Sequence, residues 1–148
     1  MAIETERKFL VKGSFEHLAL KKIRIKQSYF STDPLRTIRL RIDGEKGLLT
    51  FKSGTRKESF SRNEWEFEIS LREAEEMIEI CLPGIIDKTR YYIPSGLHTF
   101  EVDVFHGKNE GLIIAEIELS SESEEFDIPE WLGEEVTGNP EYYNSNLI

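Results

Sequence analysis

Charged residues recur at every second position along this 148-residue chain, and most of the runs carry a single sign. Glu4, Glu6 and Lys8 alternate with Ile3, Thr5 and Phe9. Arg39 and Arg41 alternate with Ile38, Leu40 and Ile42, and Thr50 and Lys52 with Leu49 and Phe51. Glu64, Glu66 and Glu68 alternate with Trp65, Phe67 and Ile69; Lys88 and Arg90 share a face, as do Glu101 with Asp103 and Glu116 with Glu118. Successive strand side chains point to opposite sides, so each run puts its charges on one face and its apolar residues on the other. A charged face meeting water is the plain explanation for any one strand. For the set it is insufficient, because like charges at i, i+2 repel and gain nothing for solubility over mixed signs. Gathered on one inner surface, these groups make a lumen of both signs. Such a lumen cannot be dry, since moving an ion into a low-dielectric interior costs about 20 kcal/mol in the ideal case. It must hold water, a charged ligand or metal ions.

The elements that position these groups are short. Eight candidate strands cover 3–11, 23–30, 35–42, 48–53, 64–69, 88–90, 100–104 and 115–119. In the first, Arg7 interrupts the apolar face and is expected to reach solvent. Helices are few. Ser14 opens a candidate over 15–21. Ser70 and Glu73 form a capping box ahead of Leu71, Ala74, Ile78 and Cys81 at helical spacing, with Pro83 and Gly84 as the stop. Ser121 and Glu124 suggest a short capped piece, and Asn139-Pro140 suits the start of a terminal helix over 141–147. The expected fold is mainly β with short helices (α+β), its eight antiparallel strands closing into a barrel that leaves no exposed edge. Periodicity alone leaves two closures open: charges inward around a wet lumen with the apolar faces covered outside, or apolar faces inward around a lipocalin-like pocket.

Length and composition fit one domain over 1–148. With 39% hydrophobic and 11% aromatic residues the chain can build a core. Its single cysteine, Cys81, excludes an internal disulfide or a Cys-rich zinc site and reads as a small packed hydrophobe. His17, His98 and His106 fall on different elements without ligand spacing. No apolar run reaches membrane length and the first residues lack a signal-peptide pattern, so a cytoplasmic protein without a membrane partner is expected. The net charge of −9 argues against polyanions, yet it is unevenly spread: residues 1–72 carry 16 Lys/Arg and 10 Asp/Glu, residues 73–148 carry 3 and 18. An acidic total hides a basic first half, and what it disfavours is long nucleic acid. Neither a Ser/His/Asp or Cys/His arrangement nor a P-loop is present.

Glu4-Thr5-Glu6-Arg7-Lys8-Phe9 resembles the ExExK signature of the CYTH domain, the triphosphate tunnel metalloenzyme superfamily. Further landmarks follow in the order of its small bacterial members: Gln27-Ser28-Tyr29, Arg39-Leu40-Arg41, Thr50-Phe51-Lys52-Ser53, Arg62-Asn63-Glu64-Trp65-Glu66, Lys88-Thr89-Arg90-Tyr91, Glu101-Val102-Asp103-Val104-Phe105 and Ala115-Glu116-Ile117-Glu118. Gly133-Glu134-Glu135-Val136-Thr137 and Tyr142-x-Asn144-x-x-Leu147 resemble its C-terminal segment. The resemblance implies an eight-stranded barrel open as a charged tunnel, and divalent-metal-dependent chemistry, with Mg²⁺ or Mn²⁺, on a small-molecule triphosphate.

Within that reading, Arg39, Arg41 and Arg90 fork onto phosphate oxygens, while Lys52 and Lys88 act as compact charges. Glu4, Glu6, Glu116 and Glu118 are the metal candidates, with Glu64, Glu66 and Asp103 as secondary ones whose alternative role is to balance Lys and Arg. Lys8, on the face of Glu4 and Glu6, is the catalytic candidate that stabilises developing negative charge. Tyr29 is either its hydrogen-bond partner, a partner of the nucleophilic water, or a buried and satisfied tyrosine. One departure stands out: small triphosphatases of this kind carry Lys in the terminal helix, whereas here Tyr143 and Ser145 occupy that stretch and no Lys or Arg follows Lys108. The expected function is hydrolysis of inorganic tripolyphosphate by a metal-activated water. The alternatives are a class IV-type adenylate cyclase, a thiamine triphosphatase and a non-catalytic triphosphate-binding module. A homodimer offers cover for outward apolar strand faces.

Overall fold

The structure, a computed structural model, describes residues 2–54 and 61–148. The alternating segments form strands β1 (Ala2–Val11), β2 (Lys21–Ser31), β3 (Arg36–Ile42), β4 (Lys46–Ser53), β5 (Ser61–Ser70), β6 (Ile86–Ser95), β7 (His98–Phe105), β8 (Ile113–Leu119) and β9 (Leu132–Glu135). Their order is β5-β4-β3-β2-β6-β7-β8-β1-β9, every ladder is antiparallel, and β5 also pairs with β1 through Ala2–Thr5 and Ser61–Glu64. That last pairing closes β1–β8 into the expected eight-stranded ring. The four-residue strand β9, absent from the sequence expectation, adds to β1 beyond it.

The two closures are now distinguished. Phe9, Ile93, Phe100, Val102, Ala115, Ile117 and Leu119 form the main core together with Phe15, Trp131 and Leu132, which come from outside the ring. The apolar faces therefore point outward, and the chain around Phe15 and from Phe126 to Leu132 roofs them. Phe100 meets Trp131 edge-on with ring centroids 5.2 Å apart, a favourable aromatic geometry. Arg7, expected to reach solvent, stays partly exposed while lying 5.1 Å from the Phe126 ring centroid and donating to Glu135 at 2.8 Å. Helix α1 (Leu71–Ile78) covers another part of the wall: Ser70 caps it by accepting from the Glu73 N–H, and Ala74 packs against Gly47, where a Cβ would approach to 2.4 Å. Leu35 and Phe67 remain exposed on the outer face, and Trp65 partly so. Among the described residues no helix is long and apolar enough to cross a membrane.

Three helical expectations are corrected. Residues 15–21 make only a 3-10 turn, Glu16–Leu18, because Phe15 is drawn into the core and Lys21 is recruited to β2 opposite Tyr92. Residues 141–147 form two 3-10 turns, Pro140–Tyr142 and Asn144–Asn146, with Asn139 capping the first as expected. Residues 121–124 make a turn without a helix, the Glu124 carboxylate accepting from the Ser120 N–H at 2.7 Å.

Candidate active site

The charged faces converge on one cavity of about 480 Å³ inside the ring. The even-numbered face of β1 contributes Glu6 and Lys8, with Glu116 and Glu118 opposite them on β8. Strands β3 and β4 contribute Arg39, Arg41 and Lys52; β5 contributes Arg62, Glu64 and Glu66; β6 and β7 contribute Arg90 and Glu101. Among the described residues, six cations and six carboxylates line this wall. Glu4 shares the inward face of β1 by register, opposite Arg62, but its side chain lies outside the described residues.

The cations are held without being consumed. Lys8 is 8% exposed, with Nζ 3.8 Å from Glu116 Oε1 and donating to the Tyr142 carbonyl at 3.2 Å. Burial alone would lower its pKa, but Glu116 and Glu6 outweigh that and hold the ammonium above its ordinary value. Glu116 is raised by its burial and by the neighbouring Glu6 carboxylate, against the pull of Lys8. Arg39 donates to Thr50 at 3.3 Å, and Thr50 in turn donates to Glu66 at 3.0 Å. Lys52 Nζ stands 3.6 Å from Glu64. Arg41, pushed down to about 10 by burial and by Arg39 and Arg90, donates to the Gln27 side-chain Oε1 at 3.3 Å. Tyr29 is buried in the wall, its hydroxyl accepting from Gln27 Nε2 at 3.5 Å; burial raises its pKa.

Lys88 and Asp103 share the inward face but are wholly buried and absent from the cavity lining. Their charged atoms are 2.7 Å apart, and Asp103 also accepts two hydrogen bonds from Arg90, at 2.8 and 2.9 Å. Burial by itself would raise Asp103, but Lys88 and Arg90 hold it well below the carboxylate range. Arg90 reaches Glu101 at 2.8 Å with its remaining nitrogen. Beyond this network the interior turns apolar: Tyr29, Ile86, Phe105 and Ile114 pack against Leu112, Tyr142, Leu147 and Ile148. Gly84 lets the terminal segment approach, having φ +104° and room for no Cβ, which would stand 2.8 Å from the Ile148 carbonyl carbon. Tyr143, Asn144, Ser145 and Asn146 then line the cavity with neutral groups.

Of the sequence candidates, Glu6, Lys8, Tyr29, Arg39, Arg41, Lys52, Glu64, Glu66, Arg90, Glu116 and Glu118 are brought to one cavity. Arg62 and Glu101 join them without having been singled out. Both occupy inward positions of their strands, so the alternation that found their neighbours also marks them. The terminal residues carry no such signal, being in irregular chain.

Carboxylate oxygens are the donors that hard divalent cations prefer. No three acidic, His or Cys side chains among the described residues form a ready cluster for a metal. The mutual repulsion of Glu6 and Glu116 is nevertheless what a cation relieves, and Mg²⁺ commonly takes one or two carboxylates plus waters and substrate oxygens rather than a full protein cage. The donor set fits such an ion.

An antiparallel ring that turns its charges inward and its apolar residues outward defines a tunnel protein for small, highly charged ligands. The profile of the CYTH domain matches residues 2–146, and the chain belongs to that family. It is 44% identical over 149 residues to an inorganic triphosphatase of Acetivibrio thermocellus, covering 100% of this chain and 94% of the relative. It is 36% identical to one of Nitrosomonas europaea, covering 97% of this chain and 95% of the relative. The crystal structure of an inorganic triphosphatase superposes with TM-score 0.69 at 33% identity, covering 97% of this chain and 95% of that one.

Proposed function

We propose that this protein is a divalent-metal-dependent phosphohydrolase acting on inorganic tripolyphosphate. The observation that carries the reading is the meeting in one cavity of basic residues from β3, β4, β5 and β6 with carboxylates from β1 and β8. The names of the two relatives, both inorganic triphosphatases, support the substrate.

Phosphoryl transfer asks little covalent chemistry of a protein; it asks for charge neutralisation and alignment. Arg39, Arg41, Arg62, Arg90 and Lys52 bind the phosphate oxygens, the arginines with two-point geometry. Glu6, Glu116 and Glu118, with Glu4 beside them on β1, hold Mg²⁺ or Mn²⁺. Bound there, the ion supplies Lewis-acid neutralisation of phosphate charge and makes a water more acidic. In hydrolysis the water oxygen bonds to a terminal phosphorus, the bridging P–O bond breaks with its electron pair leaving on pyrophosphate, and a wall carboxylate takes the water's proton. Lys8, kept protonated by Glu116 and Glu6, stabilises the charge that grows on the transferring group. Asp103 is the counterion of Lys88 and Arg90 and fixes the guanidinium in place; it is not a metal ligand in this reading. Tyr29 is a buried wall residue that orders Gln27 and, through it, Arg41.

The test is incubation of purified protein with tripolyphosphate, ATP and thiamine triphosphate, each with Mg²⁺, Mn²⁺ or EDTA. Phosphate and pyrophosphate released from tripolyphosphate fastest, and not in EDTA, is the expected result. Cyclic AMP as the main product from ATP, or no metal-dependent turnover, overturns it.

A further inference from the structure

Residues 136–143 grip Lys8 at three points. The Lys8 N–H donates to Thr137 Oγ1 at 2.8 Å, the Val136 N–H donates to the Lys8 carbonyl at 2.8 Å, and the Lys8 ammonium donates to the Tyr142 carbonyl. The fourth contact is of another kind: Lys8 Nζ lies 5.8 Å from the centroid of the Tyr143 ring, within cation–π range. The ring is itself fixed. Its hydroxyl donates to the Gly138 carbonyl at 3.3 Å, and the Asn146 N–H donates to the Tyr143 carbonyl at 2.9 Å. Further along, Asn109 donates to the Leu147 carbonyl at 2.7 Å and anchors the far side of the segment.

Resting on the hydrolase reading, we propose that Tyr143 is a positioning residue for Lys8, its ring holding the ammonium at the cavity wall while leaving it free to turn toward a phosphate oxygen. The physical distinction is directional. A carboxylate at hydrogen-bond distance would fix the ammonium's protons, and Glu116 at 3.8 Å does not reach that far. An aromatic face attracts the charge without claiming a particular N–H, so Lys8 can exchange the Tyr142 carbonyl for substrate and stay over the ring. Position 143 thus gives this chain, which has no Lys or Arg after Lys108, an indirect route by which the terminal segment acts on the reacting group.

The experiment compares Tyr143→Leu and Tyr143→Phe in the full chain. Tyr143→Leu is expected to lower kcat for tripolyphosphate about tenfold, the scale of one cation–π contact, with KM within about twofold because five other cations still hold the substrate. Tyr143→Phe keeps the ring and should stay within about twofold of the unaltered protein. In a Lys8→Ala background the Leu substitution should have little further effect. A second readout does not need turnover: with ¹³C-labelled lysine, the ring current should displace the Lys8 ε-methylene resonance, identified by its loss in Lys8→Ala, and Tyr143→Leu should abolish the displacement. Equal losses in the Leu and Phe variants, an undiminished effect without Lys8, or an undisplaced resonance would each overturn the proposal. An unaltered protein that turns nothing over would defeat the hydrolase reading instead, with the resonance still reporting on Lys8 and the ring.

Discussion

Lys8 is flanked by Glu6 and Glu116 and roofed by the terminal segment, so its ammonium is charged, buried and aimed at the space a phosphate would fill. Removing one preorganised group that stabilises transition-state charge typically lowers kcat by about 10²–10³. Lys8→Ala is therefore expected to lose about a hundredfold or more in kcat for tripolyphosphate while retaining its melting temperature within a few degrees, read by phosphate release and by circular dichroism. Asp103 calls for the opposite pattern. It is the counterion of two buried cations, and removing one member of such a set costs about 3–5 kcal/mol. Its folded pKa lies below the unfolded one, so the unfolded chain binds the extra proton on acidification, and this stability is lost as pH falls below about 4. Urea unfolding of Asp103→Asn should show a deficit of that size at neutral pH that narrows toward acid; a constant deficit would mean that the carboxylate charge is not what stabilises. Period-two alternation placed Lys8, Asp103 and Lys88 on the charged faces of their strands, because parity alone decides the side; that those faces turn inward came from the family resemblance and not from the alternation. It could not give depth: Lys88, two residues from the cavity-lining Arg90, is buried beneath it with its ammonium 5.4 Å from the Phe105 ring centroid.

Among elements, the eight ring strands were legible and the short helices only in part, for one reason: each strand's two faces meet different environments over its whole length, whereas a helix of two turns is decided by what its ends are tied to. The candidate over 15–21 gave way once the Leu20 N–H was committed to the Tyr92 carbonyl. Helix α1 held because the Ser70 hydroxyl satisfies its first turn and Ala74 seats it on β4; past Ile78 the chain turns so that the Leu82 N–H reaches the Tyr29 carbonyl, which ends the helix before Cys81. Ser70→Ala removes that cap, at about 1 kcal/mol. The expected fall in melting temperature is about 2–4 °C for a domain of this size. Because α1 lies on the outer wall, kcat at 25 °C should be unchanged, and a large loss of activity would mean that the helix supports the cavity as well as covering it. Strand β9 escaped the sequence because it and the Val136 that follows it bind β1 through backbone groups, as in the Val136 N–H to the Lys8 carbonyl, and backbone pairing leaves little trace in side-chain pattern.

At the scale of the whole molecule, the net charge of −9 says less than the charge on the cavity wall, where six cations face six carboxylates among the described residues. A wall neutral by that count does not by itself draw in a polyanion: a triphosphate arriving alone must prise Lys8, Lys52 and Arg90 from Glu116, Glu64 and Glu101 and leaves those carboxylates facing phosphate oxygens. A divalent cation arriving with it restores the balance, and by linkage each must then tighten the other, commonly by about 5- to 150-fold. An imido-bridged triphosphate, which resists hydrolysis, makes this measurable by thermal unfolding. The analogue or Mg²⁺ alone should move the melting temperature little. Together, at about a hundred times the dissociation constant of the pair, they should add about 2.7 kcal/mol, or about 5–10 °C at 2–4 °C per kcal/mol. EDTA should reverse the gain, and 0.5 M salt should reduce it less than it would for an exposed patch, since buried pairs are screened less. A full shift from the analogue alone would show that the basic residues suffice and that the carboxylates of β1 and β8 serve only to balance them.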